Sequence, residues 1–368
     1  MTTMKAVVLH GREDLRVDDI PVPTPGPGQV LLRNGYAGIC GSDLHAVWAP
    51  EALGLSHDTP HPVTGATLPQ VLGHEFSGTV AALGEGVDSV QVGDDCAVFG
   101  QYSCGECVAC RAERPNACPF ISFHGIASDG GGMAEYTVVD AHRLHVLPEG
   151  IDLKMGALVE PMTVAWHAVS RAEYPENASA LIVGAGPIGI GLYFALKARG
   201  VTRVLVSEPS VERRELIASF GATVVDPIND SLAGAVQLLT DGEGVSVAFD
   251  AAGVGPAIEG AIASLAPTGR LVVVALHERP FAVGGLSLVR AELDVVGAMG
   301  YLQHEYDEVI EAMRAGAYVT DGWVETVSLD ETEDAMKRLR GGNGAKILVS
   351  ARSGDETAEP VSAEALRA

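Results

Sequence analysis

The chain has 368 residues, enough for two domains that each bury a core of their own. Hydrophobic residues make up 47% and charged residues 20%, the proportions of a soluble globular protein. With 48 acidic against 24 basic residues the formal net charge is -24, and such a surface repels phosphate backbones and anionic lipid, which argues against nucleic-acid and membrane partners.

The opening MTTMKAVVLHGREDLRV has no apolar run of signal-peptide length, so a cytoplasmic chain with reduced thiols is expected. Strands are predicted at 4–9 (MKAVVL), 30–36, 76–83 and 134–139, separated by Gly and Pro clusters such as PVPTPGPG at 21–28. An antiparallel, barrel-like domain is their natural packing. Two short motifs stand inside it. Cys40 lies between glycines in GICGSDLH (38–45), ahead of Ser42 and His45, and His74–Glu75 lie in LGHEFSG (72–78). These residues are compatible with a Cys/His/Glu zinc site, but spacing alone carries the reading no further. Isolated histidines are more often structural, which is how His10, His57, His61, His142 and His277 read; Cys96, in DDCAVF, reads as a small buried hydrophobe.

The segment CGECVACRAERPNAC (104–118) could be a disulfide staple, a nucleic-acid finger or a metal clip. Its C-x2-C-x2-C-x7-C spacing converges Cys104, Cys107, Cys110 and Cys118 on one point, which suits tetrahedral Zn²⁺. Disulfides are disfavoured without a secretion signal, and a finger is disfavoured by the acidic chain.

From about residue 178 the pattern changes. Solid apolar runs at 180–183, 203–207, 222–225, 245–250, 270–276 and 293–297 alternate with helical segments such as IGLYFALKARG and VERRELIASFG, the pattern of a doubly wound parallel sheet. Asn177 to Leu196 is uncharged and approaches membrane-spanning length, yet it holds four glycines and a proline behind a strand, so it reads as strand–turn–helix. That turn is GAGPIG (184–189). Gly184 permits the tight turn, Gly186 lets a pyrophosphate approach, and Gly189 lets helix and strand pack closely. Glu208 stands nineteen residues beyond Gly189, placed to accept from a ribose 2′-hydroxyl and to repel a 2′-phosphate, which favours NAD over NADP. Arg213 and Arg214 follow and soften that preference. After residue 300 come a helix (EYDEVIEAMRAG), a polar stretch, a strand at 346–350 (KILVS) and an acidic tail without a core-forming pattern.

GICGSDLH, GHEFSG, the four-cysteine loop, GGMAEY, VEPMTVAWHAV and GAGPIG occur together in this order, and the chain resembles the zinc-dependent medium-chain dehydrogenases, the superfamily of alcohol, sorbitol and threonine dehydrogenases, from about residue 4 to about 350. The resemblance implies an α/β protein: a GroES-like β-barrel catalytic domain (1–155) with a zinc lobe at 100–120, a Rossmann domain (156–298), a return to the catalytic domain (299–350) and a flexible tail (351–368). It implies two zincs. Cys40 and His74 match catalytic ligands, Glu75 and Glu160 match carboxylates of which either touches the metal, and Ser42 and His45 match a proton relay. Cys104, Cys107, Cys110 and Cys118 match a structural zinc site. NAD would be held by Gly184, Gly186, Pro187, Ile188, Gly189, Glu208, Arg213 and Gly253.

The implied activity is reversible oxidation of a secondary alcohol to a ketone. HPVTGATLPQVLGHEFSG (61–78), SEPSVERR (207–214) and the Pro- and His-containing stretch from Ala46 to Gln70 resemble the 2,3-butanediol dehydrogenase branch most. Sorbitol-type polyols and threonine are the competing substrates, and a non-catalytic NADH-binding redox sensor is the competing class. A homodimer or homotetramer is expected, with 293–300 reading equally as an edge strand available for assembly or as an interior strand.

Overall fold

A computed structural model describes residues 2–352 apart from Asp129 and Glu278; most of the stretch expected to form a flexible tail, 353–368, lies outside the described residues. The chain divides into two compact units. One comprises the residues up to Glu160, Leu302–Arg314 and the chain from Trp323 on; the other comprises Pro161–Tyr301 and Ala315–Gly322.

Strand Gln29–Gly38 is the spine of the first unit. One edge pairs antiparallel with Glu75–Leu83 along its length, and two register shifts in that ladder bend the sheet. The other edge is shared end to end, by Tyr136–Asp140 opposite Gln29–Arg33 and by Lys346–Ser350 opposite Tyr36–Gly38. Asp95–Val98 and Leu144–Val146 extend one side, and Val324–Ser328 extends the other in parallel with Lys346–Ser350. Alternating inward residues, among them Leu32, Phe76, Val98 and Ile347, form the core with Met133. This is the expected barrel-like β unit. Strands Asp14–Pro21, Thr3–Gly11 and Gln70–Val71 form a smaller separate sheet.

The second unit is a six-stranded parallel sheet in the spatial order Thr223–Val225, Arg203–Ser207, Ser179–Val183, Val245–Asp250, Leu265–Val273, Asp294–Gly297. Strand order therefore reverses at Ser179–Val183, the doubly wound arrangement. Every residue of Ser179–Val183 is buried, which explains the absence of polar alternation. Ser210 and Ser231 cap the crossover helices Val211–Ser219 and Leu232–Thr240, their hydroxyls accepting from Arg213 and Gly234 N–H. The strand expected at 270–276 instead covers Leu265–Val273. It stops because the N–H groups of Val274 and Ala275 both turn back onto the Asp250 carbonyl, at 3.1 and 3.0 Å. Among the described residues, no helix is long and apolar enough to cross a membrane.

Candidate metal centres and dinucleotide site

Cys40 leaves the spine strand as the N-cap residue of helix Gly41–Trp48. The helix places Ser42, Asp43 and His45 within a turn of it. Asp43, wholly buried, accepts from Cys40 N–H through Oδ2 at 2.9 Å and turns Oδ1 to His74 Nδ1 at 3.4 Å. At that distance the two atoms face each other without forming a hydrogen bond. With Nδ1 turned to Asp43, His74 keeps Nε2 for a metal, and Ser42 Oγ lies 3.0 Å from it. Burial alone would lower the His74 pKa, but the Asp43 carboxylate and the Cys40 sulfur raise it well above its ordinary value. The pocket thus concentrates negative charge around an imidazole, an environment that favours a cation.

One ligand atom each of Cys40, His74 and Glu75 lies within 4.8 Å of the others. Thiolate, imidazole and carboxylate are donor types that zinc takes, and a metal held by these three would keep a further position for substrate. Glu75 is buried and ion-paired with Lys346 Nζ, which also donates to the Ile39 carbonyl at 3.1 Å. A side chain at Gly38 would overlap the Glu75 carboxylate, so glycine is what allows this approach. Burial opposes the charge on Lys346, yet Glu75, Cys40 and Glu160 raise its pKa above the usual lysine value. Glu160, buried in the first turn of helix Val159–Ala172, lies outside the three-residue group. His45 is partly exposed, one turn beyond Ser42, with Nδ1 2.9 Å from the Gly41 carbonyl.

Cys104, Cys107, Cys110 and Cys118 form the second group. Their sulfurs are 3.5 Å apart for Cys104–Cys118 and Cys107–Cys110, and 4.0 Å for Cys104–Cys110. A disulfide needs about 2.05 Å, whereas a tetrahedron of ~2.3 Å Zn–S bonds has edges of about 3.8 Å. The spacing fits the metal. Backbone N–H groups of Cys107, Cys110 and Phe120 point at the sulfurs of Cys104, Cys107 and Cys118, each at 3.4 Å. Such donors, from Glu106 and Cys107, bring the Cys104 thiol down to about 7, while burial pushes Cys118 up to about 11.

In the sheet unit Gly184 takes φ +98°, and a side chain there would lie 3.0 Å from the main chain of Ala251. Gly186 is the N-cap residue of helix Pro187–Ala198; Pro187 and Ile188 are its first residues, with Gly189 buried behind them. Glu208 is buried, with Oε2 accepting from Ala185 N–H at 2.7 Å and Oε1 from Ser210 N–H at 2.8 Å. Each oxygen keeps a lone pair for a ribose hydroxyl. Arg214 is committed elsewhere, to Asp226 at 3.0 Å and to the Glu208 carbonyl at 2.7 Å, while Arg213 is partly exposed on the same helix. Gly253, at φ +69°, donates to Asp250 Oδ1 at 3.1 Å. Asp43, Lys346 and Asp250 were missed on sequence grounds. Only Asp43 left a signal, three residues beyond the N-cap Cys40, the spacing of a reciprocal capping contact.

Residues 26–149 match the family described as alcohol dehydrogenase GroES-like domain, and residues 187–315 match the zinc-binding dehydrogenase family. The chain belongs to the zinc-dependent medium-chain dehydrogenases and is an alcohol dehydrogenase of that family. It is 33% identical over 353 residues to a (R,R)-butanediol dehydrogenase of Neisseria gonorrhoeae, covering 94% of this chain and 99% of that one. It is 35% identical over 348 residues to a 2-dehydro-3-deoxy-L-galactonate 5-dehydrogenase of Pseudoalteromonas atlantica, covering 94% and 98%. The crystal structure of 2R,3R-butanediol dehydrogenase from Bacillus subtilis is similar with a TM-score of 0.87 and 34% identity, covering 95% of this chain and all of that one.

Proposed function

We propose that the chain interconverts 2,3-butanediol and acetoin, using NAD and one catalytic zinc, with a second zinc held by Cys104, Cys107, Cys110 and Cys118. The convergence of Cys40, His74 and Glu75, in a chain similar to butanediol dehydrogenases over nearly its whole length, supports this reading best. When bound, zinc supplies Lewis acidity and the nicotinamide a two-electron acceptor. Cys40, His74 and Glu75 would hold the metal, with Asp43 orienting the imidazole and Lys346 balancing the charge of Glu75. Ser42 would take the substrate proton while handing its own hydroxyl proton on toward His45, which would release it to solvent. Glu208 supports NAD over NADP by its negative charge.

Oxidation of a secondary hydroxyl on a sugar acid or polyol is the second reading, favoured by the similarity to the galactonate dehydrogenase. NADH absorbance assays on the butanediol stereoisomers, sorbitol, threonine and a sugar acid, with NAD and NADP in parallel, test both. Turnover of sugar acid or polyol without turnover of any butanediol would sink the first reading. The chain is further proposed to be cytoplasmic and to assemble as a homodimer or homotetramer through strand Asp294–Gly297, one edge of the parallel sheet.

A further inference from the structure

On sequence grounds His277 is an ordinary structural histidine; the structure joins it to the most buried carboxylate of the parallel sheet. Asp250 ends strand Val245–Asp250 with no exposed surface. Its two oxygens serve two different loops. Oδ1 accepts from the N–H groups of Ala252 and Gly253, both at 3.1 Å, in the turn that follows its own strand. Oδ2 accepts from His277 Nε2 at 2.6 Å, in the loop that follows the neighbouring strand Leu265–Val273. The His277 ring is backed by Phe281, with ring centroids 4.6 Å apart, and Phe281 packs on the hydrophobic core of the sheet. For packing alone, an apolar pair would close the same gap without the cost of desolvating a carboxylate.

Position supplies a reason for keeping the polar pair. Ligands of doubly wound sheets lie beyond the carboxyl ends of the strands where strand order reverses, here between Ser179–Val183 and Val245–Asp250. With the pyrophosphate at Gly184–Gly189 and the adenosine ribose toward Glu208, the other half of the dinucleotide crosses the ends of Val245–Asp250 and Leu265–Val273. The Asp250 turn also underlies the glycine turn, since the missing side chain of Gly184 is what lets Ala251 approach. Val254 and Leu276 stand in the two loops, apolar yet 53% and 70% exposed, and Leu276 immediately precedes His277. Exposed apolar side chains at a crevice suit the face of an aromatic ring.

We propose that Asp250 and His277 are positioning residues for the nicotinamide half of the cofactor. Their bond latches the loop that carries His277 to the turn at 251–254 and fixes the platform, Leu276 included, on which the ring lies. The proposal rests on the NAD-linked reading above. It predicts a split between ligands: NADH needs the latch, and ADP-ribose, which shares the adenosine and pyrophosphate but lacks the nicotinamide, does not.

The test uses the full zinc-loaded chain, with NADH binding followed by fluorescence, ADP-ribose binding by calorimetry and loop opening by amide hydrogen exchange. In His277→Ala, NADH affinity is expected to fall about tenfold while ADP-ribose affinity stays within about twofold, and amides from 274 to 277 exchange faster. His277→Gln, whose side-chain amide can donate to Asp250, restores most of the loss. Equal weakening of both ligands, or unchanged NADH affinity in His277→Ala, overturns the proposal. Should the alanine chain not fold, Leu276→Ser on the same loop carries the test, and NADH must weaken while ADP-ribose does not. A wild-type chain that binds neither ligand refutes the cofactor reading itself, and the latch with it.

Discussion

Lys346 and Glu75 are both almost wholly buried, so neither charge can fall back on solvent. Lys346→Met is expected to destabilise the chain by ~3–5 kcal/mol in urea unfolding because it leaves an unpaired buried carboxylate, and Lys346→Met combined with Glu75→Gln should recover most of the loss. A double variant no more stable than the single one would show that packing, not charge, is at stake. Asp43→Asn should cost about 10- to 100-fold in zinc affinity, read by competition with a chromophoric chelator, since it removes the charge that orients His74. His124 adds a pH dependence. Burial brings its pKa down to about 4, and the neutral ring fits between the Val138 carbonyl and the Tyr102 hydroxyl, both at 3.3 Å. The unfolded chain protonates this histidine below about 6.5, so stability is complete above that pH. It falls as pH drops toward 4, by up to ~3 kcal/mol. Unfolding midpoints measured across that range should flatten in His124→Asn. Cys40 and His74 were legible as candidates through the family resemblance that their glycine-rich motifs help carry, not through spacing alone. Lys346 was not, because its partner is 271 residues away, and nothing in KILVS distinguishes it from an ordinary surface lysine.

Elements were legible where burial imposes a repeating pattern. The strands of the parallel sheet announce themselves as solid apolar runs, and the spine strand and Glu75–Leu83 fall close to their expected limits. Val324–Ser328 was read only as a polar stretch because VETVS has no buried residue; its pairing with Lys346–Ser350 creates the strand, not its own composition. The four-cysteine lobe is a different case, since it has little apolar core and, with the proposed second zinc, would depend on a metal. Val108 is 76% exposed, and the short helix Val108–Arg111 has no buried residue. Chelation, or Cys107→Ser, is therefore expected to open this segment to trypsin at the exposed Arg111, giving a discrete nick before global unfolding. Cleavage at equal rates with and without zinc would refute a metal-held lobe.

At the scale of the whole molecule, the net charge of -24 and the paired metal-binding motifs set the class, while the chain's path between units is a matter of long-range pairing that local pattern does not encode. Among the described residues, strand Asp294–Gly297 has a partner on one edge, and Val295 and Met299 beside it are partly exposed. An unpaired apolar edge invites association with a second copy. For the proposed assembly through this edge, Val295→Lys is expected to shift the sedimentation profile toward monomer; a profile unchanged from wild type would overturn that interface.

The sharing of the spine strand's edge by Lys346–Ser350 has a consequence for synthesis. A ribosome delivers the sulfur and imidazole donors early, but the ammonium that balances Glu75 emerges only after the entire nucleotide-binding sheet has been made. Until then the first unit lacks a strand and holds a buried anion without its counter-ion, so it should stay protease-sensitive in ribosome-arrested chains that stop short of residue 346. The growing chain would thus finish its coenzyme module first and close its catalytic module last.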